Sequence, residues 1–272
     1  MLVFVLLCLG GAALTVLVGP LVLTVGRWQL LHPRAALTAW FTAFFLGVAL
    51  LLAAVIGSVA GAVTASEATP HEQAILLTVA AWLGLGGVGA LVAFVAVAAG
   101  PMRAGGEESG AVGAAIASAR EERAGFTLVR FSSLQLIACV VPGRRPEILL
   151  SSAMEQALSL PQLQAVLAHE FAHLRQRHGW ALRIAELNAL CLPRTRPGRA
   201  LKRATVLLIE LAADDVAARQ AGAANLANAL SILAVATGAE AMQLRAERLS
   251  ARRWPAAGRH RLPQAIRLTA AA

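Results

Sequence analysis

Three long apolar stretches near the start of the chain constrain its fold more than any other feature. They cover about residues 2–25, 36–63 and 74–99, and none contains Asp, Glu, Lys or Arg. Each is long enough to cross the hydrocarbon core of a bilayer, which takes about 20 apolar residues as a helix. The 272-residue chain is also 58% hydrophobic and only 14% charged, which is too apolar for an ordinary soluble domain. The sequence therefore predicts a membrane domain, residues 1–100, with three transmembrane helices.

The charges between these stretches predict how the helices are oriented. The loop 26–35 carries Arg27 and Arg34, whereas the loop 64–73 carries Glu67 and Glu72 without any Lys or Arg. The positive-inside rule places the first loop in the cytoplasm, and the second loop and the N-terminus outside. The other 22 basic and 13 acidic residues follow residue 100, so the net charge of +9 belongs to a part expected beside anionic cytoplasmic lipid. We expect a multi-pass protein of a bacterial cell membrane.

Neither the basic charge nor the cysteines indicate a further binding site. Nucleic acid is the competing partner for basic charge, but the sequence has no nucleic-acid-binding motif and few aromatic residues among its arginines. The three cysteines are scattered at Cys8, Cys139 and Cys191 and form no C-x-x-C pair. We therefore expect no nucleic-acid partner and reduced, buried thiols.

The most informative motif of the C-terminal part is His169-Glu170-Phe171-Ala172-His173. Two histidines four residues apart lie on one face of a helix, and both can reach one zinc ion at about 2.0–2.1 Å. The glutamate after the first histidine lies beside such a metal and can take a proton from the attacking water. The pattern predicts His169 and His173 as metal ligands and Glu170 as the catalytic base.

The residues around this motif predict the helix that it needs. Ser159 and Gln162 form a candidate capping box, and Pro161 suits the first turn. Gly179 is expected to end or bend the helix. Arg177 and His178 are expected on a solvated face, and His178 is not expected as a ligand, because its spacing from His173 is wrong for the same helix face. An apolar stripe at helical spacing continues through the motif and consists of Leu163, Val166, Leu167, Phe171 and Leu174.

A third metal ligand is predicted at Glu210, on a later helix. Its neighbours from 206 to 213 are otherwise apolar, and a carboxylate there is costly unless it is paired or bound to a metal. Asp214 lies on the same helix face and could accept the free N–H of a ligating histidine. The alternative is that both carboxylates lie on a solvated face and pair with Arg203 or Arg219.

The remaining segments predict a mainly α chain in which the membrane helices precede an α+β domain. Residues 101–125 are expected to form a linker and a short helix, 126–240 the folded domain, and 241–272 a basic, weakly structured tail. Residues 126–151 contain β-formers around a turn at 142–146, which predicts a hairpin or small sheet. Its edge could accept an extended peptide, although a purely structural hairpin explains the pattern equally well. The amphipathic stretch 180–192 suits either the core or the membrane surface.

Two motifs together resemble the gluzincin membrane metallopeptidases. They are the H-E-x-x-H motif at 169–173 and Glu210-Leu211-Ala212-Ala213-Asp214. The HtpX and CAAX-prenyl-protease family and the BlaR/MecR-type sensor peptidases both carry such motifs, and the resemblance covers about residues 126–222. The N-terminal spans look more like the BlaR/MecR group. No fourth span and no extracellular sensor domain are recognised, so the resemblance does not support a β-lactam receptor role.

This resemblance implies a zincin-like, membrane-bound metalloendopeptidase that holds one Zn²⁺ per chain. Its ligands would be His169, His173 and Glu210, with Glu170 as the base and Asp214 holding a histidine. Its substrates would be proteins or peptides, in regulated proteolysis or membrane-protein quality control. The group that stabilises the oxyanion stays open between His260 and a nearby arginine. The sequence indicates neither the substrate nor the oligomeric state.

Two other classes of protein compete with this hypothesis. A non-catalytic membrane zinc sensor or scaffold would retain the metal site, but it would not need the intact Glu170. A transporter with an accidental motif would carry ionisable residues inside its spans, and the three apolar stretches have none.

Overall fold

The computed structural model describes residues 1–65, 69–254 and 262–268, with only the backbone for 98–117. The chain divides into two compact units. One consists of residues 1–100 and 182–208, and the other of residues 101–181 and 209–272. Three of the described helices, which span residues 71–116, 178–191 and 196–217, contain residues of both units.

The first unit contains the long apolar helices that the sequence predicts. Among the described residues, three segments are long and apolar enough to cross a membrane: Leu2–Leu23, Pro33–Val63 and His71–Val97. The first is interrupted near Pro20, which cannot donate a backbone hydrogen bond. Buried side chains from all three segments pack together, namely Val5, Cys8, Ala54 and Leu77. The helices are α1 (Leu2–Leu17), α2 (Gly19–Leu23), α3 (Trp28–Leu31), α4 (Pro33–Val63) and α5 (His71–Ile116).

The predicted linker and short helix at 101–125 differ from the structure. Helix α5 continues to Ile116, and strand β1 (Ala117–Arg123) follows it. The sequence of β1 contains good helix formers, which is why local propensity predicts a helix there. Its pairing with the next strand, through the tight turn at Ala124 and Gly125, overrides that propensity.

The second unit contains a small mixed sheet, as predicted. The described strands are ordered β1-β2-β4-β3, so β3 lies at an edge. Strands β1 and β2 pair antiparallel, β2 and β4 parallel, and β3 and β4 antiparallel. The strands after β1 are β2 (Phe126–Phe131), β3 (Ala138–Val141) and β4 (Glu147–Ser151).

Helices cover this sheet and form the main core with it. The core joins Leu128, Ile148 and Leu150 of the sheet to side chains of the later helices. The predicted weakly structured tail begins instead with helix α11, whose Ala246 and Leu249 are buried in this core. The helices that belong wholly to this unit are α6 (Ser152–Ala157), α7 (Leu160–Arg175), α10 (Ala223–Thr237) and α11 (Glu240–Ala251), with a π-helical turn (Ala218–Gly222) and a 3₁₀ turn (Gln264–Ile266). Helices α8 (His178–Cys191) and α9 (Arg196–Ala217) have residues in both units, because 182–208 belongs to the first.

Candidate active site

Helix α7 carries the H-E-x-x-H motif and begins where the sequence predicts. The backbone N–H of Ser159 donates to Gln162 Oε1 at 2.8 Å, as a capping box requires. Pro161 lies in the first turn, where its missing N–H costs nothing. His169 is buried, with 7% of its surface exposed, and His173 lies one turn later. The helix therefore holds both imidazoles in fixed positions on one side.

The ligand atoms of His169, His173 and Glu210 converge on one point. The two Nε2 atoms are 3.0 Å apart, and they lie 3.4 and 3.5 Å from the Glu210 carboxylate oxygens. Ligands about 2.0–2.1 Å from a tetrahedral ion lie about 3.3–3.4 Å from one another. The three side chains therefore fit Zn²⁺ without rearrangement of the helices. Two histidines and a glutamate also leave a fourth position open, as catalytic zinc sites do.

Asp214 lies behind the first histidine. Its side chain is fully buried, and Oδ1 is 3.0 Å from His169 Nδ1. A carboxylate at this distance favours a proton on Nδ1, which leaves Nε2 to face the metal position. Asp214 therefore occupies the place where a residue that orients His169 is expected.

His178 is not on a solvated face, and that prediction was wrong. Only 2% of its surface is exposed, and its Nδ1 is 3.0 Å from His173 Nδ1. The histidine is buried because α7 ends at Arg175 and Arg177 has a left-handed φ of 53°. The chain therefore turns before Gly179, at Gln176–Arg177, and α8 begins with His178 directed back towards His173. Only one of the two facing Nδ1 atoms can carry the shared proton, and it belongs to His173 when His173 Nε2 serves as a metal ligand, with His178 Nδ1 as the acceptor.

Arg245 of α11 is the second residue that the sequence did not reveal. Its Nε and Nη2 donate to the two carboxylate oxygens of Asp214 at 2.7 and 2.6 Å. Its Nη1 lies 2.7 Å from Glu210 Oε2. The sequence does contain a signal for helix α11, because Met242, Ala246 and Leu249 repeat at helical spacing. The two acidic side chains thus share one partly buried arginine.

The charges around the two histidines shift their pKa values in opposite directions. Burial lowers the pKa of His169, but the carboxylates of Asp214 and Glu210 outweigh burial and raise it to about 10. Burial and the positive charge of His169 lower the pKa of His173 to about 3.

Glu170 lies close enough to these charges for its pKa to respond to them. Burial raises the pKa of Glu170 to about 7, with His169 and Arg245 opposing the rise and Glu210 adding to it. The negative charge of Glu170 also reaches Cys139 in β3, whose thiol pKa is raised first by burial and then by that charge. Glu170 thus lies within electrostatic range of the edge strand β3. His260, which the sequence offers beside a nearby arginine as the group that stabilises the oxyanion, lies outside the described residues.

Paired histidines on one helix, a glutamate from a second helix and a small adjacent sheet define the class of gluzincin-type metallopeptidases. The sequence model of peptidase family M48 matches residues 111–253, more than half of the chain, and the chain belongs to that family. M48 is a zinc metallopeptidase family that includes HtpX, so the predicted resemblance to the HtpX family is confirmed. No curated protein matched the chain significantly. No solved structure matched it significantly either.

Proposed function

We propose that this chain is a membrane-bound zinc metalloendopeptidase that hydrolyses peptide bonds of protein substrates. The observation that carries this proposal is the convergence of His169 Nε2, His173 Nε2 and the Glu210 carboxylate within 3.0–3.5 Å of one another, with Glu170 next to them in sequence. Membership of family M48 supports peptidase activity. One Zn²⁺ per chain would be held by these three side chains.

Glu170 is the proposed general base. Zinc bound here would polarise the scissile carbonyl and make a water molecule a better nucleophile near neutral pH. Glu170 takes a proton from the attacking water and passes it to the leaving amine. A general base works best when its pKa is close to the working pH, and burial raises the pKa of Glu170 to about 7.

The remaining polar residues fix the geometry of the ligands. Asp214 holds His169 through Nδ1, and His178 holds His173 in the same way. Each contact favours the tautomer whose Nε2 points at the metal position. Arg245 neutralises Asp214 and pairs with Oε2 of Glu210, the oxygen that also lies 3.4 Å from His169 Nε2, so one guanidinium stabilises two neighbouring carboxylates.

The edge strand β3 is the proposed binding place for the substrate backbone. It pairs only with β4 among the described strands, and it packs against α7, the helix that carries Glu170. An extended peptide that adds to such an edge has its main chain held by hydrogen bonds. This arrangement would accept many sequences, as an endopeptidase in regulated proteolysis or membrane-protein quality control requires.

The three apolar helices support a place in the cell membrane. Arg27 and Arg34 in the first loop favour a cytoplasmic position for that loop, with the N-terminus outside. The third helix then returns the chain to the cytoplasm, where the peptidase unit would meet cytoplasmic proteins and the cytoplasmic ends of membrane proteins.

Replacement of the proposed base tests this function. Glu170→Gln should keep one zinc per chain and reduce hydrolysis by about 10²–10⁴-fold. Glu247→Gln, which changes an exposed glutamate of α11, is the matched control and should leave both unchanged. Zinc content and the pattern of cellular protein fragments are compared among wild type and the two variants. Zinc-replete Glu170→Gln that gives the wild-type fragments would refute the role of Glu170. Wild type that binds zinc but gives no fragments beyond a strain without the protein would instead support the zinc scaffold.

A further inference from the structure

The segment 182–208 of the first unit, here called the basic hairpin, has an unusual charge. It contains six basic residues, and its only acidic residue is Glu186. Lys202 Nζ lies 3.6 Å from Glu186 Oε1, which balances one of these charges. All basic side chains of this segment that follow α8 are exposed. They are Arg194, Arg196, Arg199, Lys202 and Arg203. The hairpin therefore presents a compact positive surface.

The same hairpin also exposes large apolar side chains. Leu190 and Leu192 lie at the end of α8 with 49% and 38% of their surface exposed. Val206 and Leu207 of α9 are 44% and 46% exposed, one turn after the last basic residues. Apolar side chains grouped beside arginines are typical of a helix that lies at a membrane surface. A purely aqueous environment would leave this group of side chains without a favourable contact.

The packing of the basic hairpin fixes its level along the membrane helices. Its Ala185, Leu201 and Leu208 form a buried cluster with Ala36 and Trp40. The latter two lie in the first two turns of α4, which begins at Pro33. The beginning of a membrane-spanning helix lies near the lipid headgroups, where tryptophan and arginine are enriched.

The residues around that end of α4 have the composition expected at this depth. Arg27 and Arg34 are exposed there, and the partly buried Trp28 packs against the same cluster. The basic hairpin therefore continues a positively charged border that the membrane helices already carry. A surface of this charge and depth is complementary to phosphate groups of the bilayer.

We infer that the basic hairpin is a binding element for anionic phospholipids. The guanidinium groups of Arg194, Arg196 and Arg199 bind headgroup phosphates by charge-assisted hydrogen bonds. Leu207 and its exposed apolar neighbours enter the boundary between headgroups and acyl chains. This assignment concerns the first unit and is independent of the proposed hydrolysis.

Depth-dependent fluorescence quenching tests the apolar contact. The full-length chain, with Cys8, Cys139 and Cys191 replaced by alanine, is labelled at Leu207→Cys and reconstituted in phosphatidylcholine–phosphatidylglycerol vesicles. Phospholipids brominated near the headgroup end of the acyl chain serve as quenchers. We expect quenching at position 207 to be at least threefold stronger than at Ser250→Cys, an exposed control on α11. Equal and weak quenching at both positions would overturn the inference.

Removal of the arginines tests the choice of lipid. The triple variant Arg194→Gln/Arg196→Gln/Arg199→Gln is compared with wild type after exposure to equimolar phosphatidylglycerol and phosphatidylcholine. Native mass spectrometry of the detergent-solubilised protein measures the lipid that stays bound. We expect the triple variant to retain at least tenfold less phosphatidylglycerol than wild type. Arg144→Gln/Arg145→Gln/Arg253→Gln removes the same charge from exposed positions of the other unit and should behave as wild type. An equal loss of bound phosphatidylglycerol in both variants would mean that net charge alone attracts the lipid. No loss in either variant would exclude the basic hairpin as the lipid-binding element. Each of these results overturns the proposal. The quenching measurement does not depend on the folding of these variants.

Discussion

Asp214→Asn separates the orienting role of this carboxylate from its structural role. The change keeps the volume of the side chain but removes the charge beside His169 Nδ1 and the bidentate partner of Arg245. Loss of one partner of a buried ion pair costs about 3–5 kcal/mol. Because Glu210 still pairs with Arg245 at 2.7 Å, we expect the lower end, about 3 kcal/mol. At about 2–4 °C per kcal/mol, the midpoint of thermal unfolding should fall by about 6–12 °C.

The same change should also weaken zinc binding. Loss of a residue that orients a metal ligand typically lowers metal affinity about 10–100-fold, or about 1.4–2.8 kcal/mol. Asp215→Asn is a matched control, because Asp215 is buried and pairs with Arg248 at 2.7 Å and Arg252 at 3.3 Å. It should lower the unfolding midpoint by a similar amount and leave zinc affinity within about twofold, since it removes no partner of a proposed ligand.

Competition with a fluorescent zinc chelator and thermal unfolding in detergent measure these two effects on the same samples. An Asp214→Asn protein that is less stable but binds zinc as tightly as wild type would refute the orienting role. An equal loss of zinc affinity in the Asp215→Asn protein would show that the loss follows from instability alone.

Three further changes give measurable outcomes. His178→Phe removes the acceptor for His173 Nδ1 and should lower zinc affinity about tenfold in the chelator assay, whereas His178→Gln should keep more of it. Burial alone would raise the pKa of Glu210, but pairing with His169 lowers it to about 2. The Glu210 carboxylate therefore stabilises the folded state at pH values above its ordinary pKa near 4.3. This stabilisation is lost as the pH falls towards 2. The unfolding midpoints of metal-free wild type and Glu210→Gln should therefore differ by a constant amount between about pH 5.5 and 6.5 and begin to converge below about pH 4. Above about pH 6.5 the difference should also shrink, because the charge of His169 that pairs with Glu210 is lost as the pH rises towards 10. A difference that grows on acidification below about pH 4 would contradict this. Gly222→Ala forces a side chain into a φ of 96° and should cost about 1–2 kcal/mol in thermal unfolding, with zinc affinity unchanged.

The features that local sequence determines were predictable. The apolar stretches need only length and composition to be recognised as candidate membrane helices, and the described residues contain three helices of that kind. Helix α7 follows from its capping residues and apolar stripe, because both are short-range. Glu210 could be proposed as a partner of the histidines because a carboxylate in an apolar helix needs a compensating group, and the structure brings the three side chains together.

The features that depend on distant partners were not predictable in the same way. Strand β1 consists of residues that favour a helix, and only its pairing with β2 makes it a strand. His178 reaches His173 because the chain turns at Arg177, and no periodicity reports such a turn. Arg245 lies 31 residues beyond Asp214, in a charged segment that was predicted to be weakly structured. A buried charge signals that it needs a partner, but it does not indicate where in the sequence that partner lies.

The contacts of Arg245 also bear on how the C-terminal helix α11 is connected to the site. The guanidinium group of Arg245 donates to both oxygens of Asp214 at 2.6–2.7 Å, and its Nη1 lies 2.7 Å from Glu210 Oε2. One side chain of α11 thus holds two carboxylates of α9 that lie about one helical turn apart. A shift of α11 would therefore displace the Glu210 carboxylate and the partner of His169 together, so the position of the site depends on the last long helix that the structure describes.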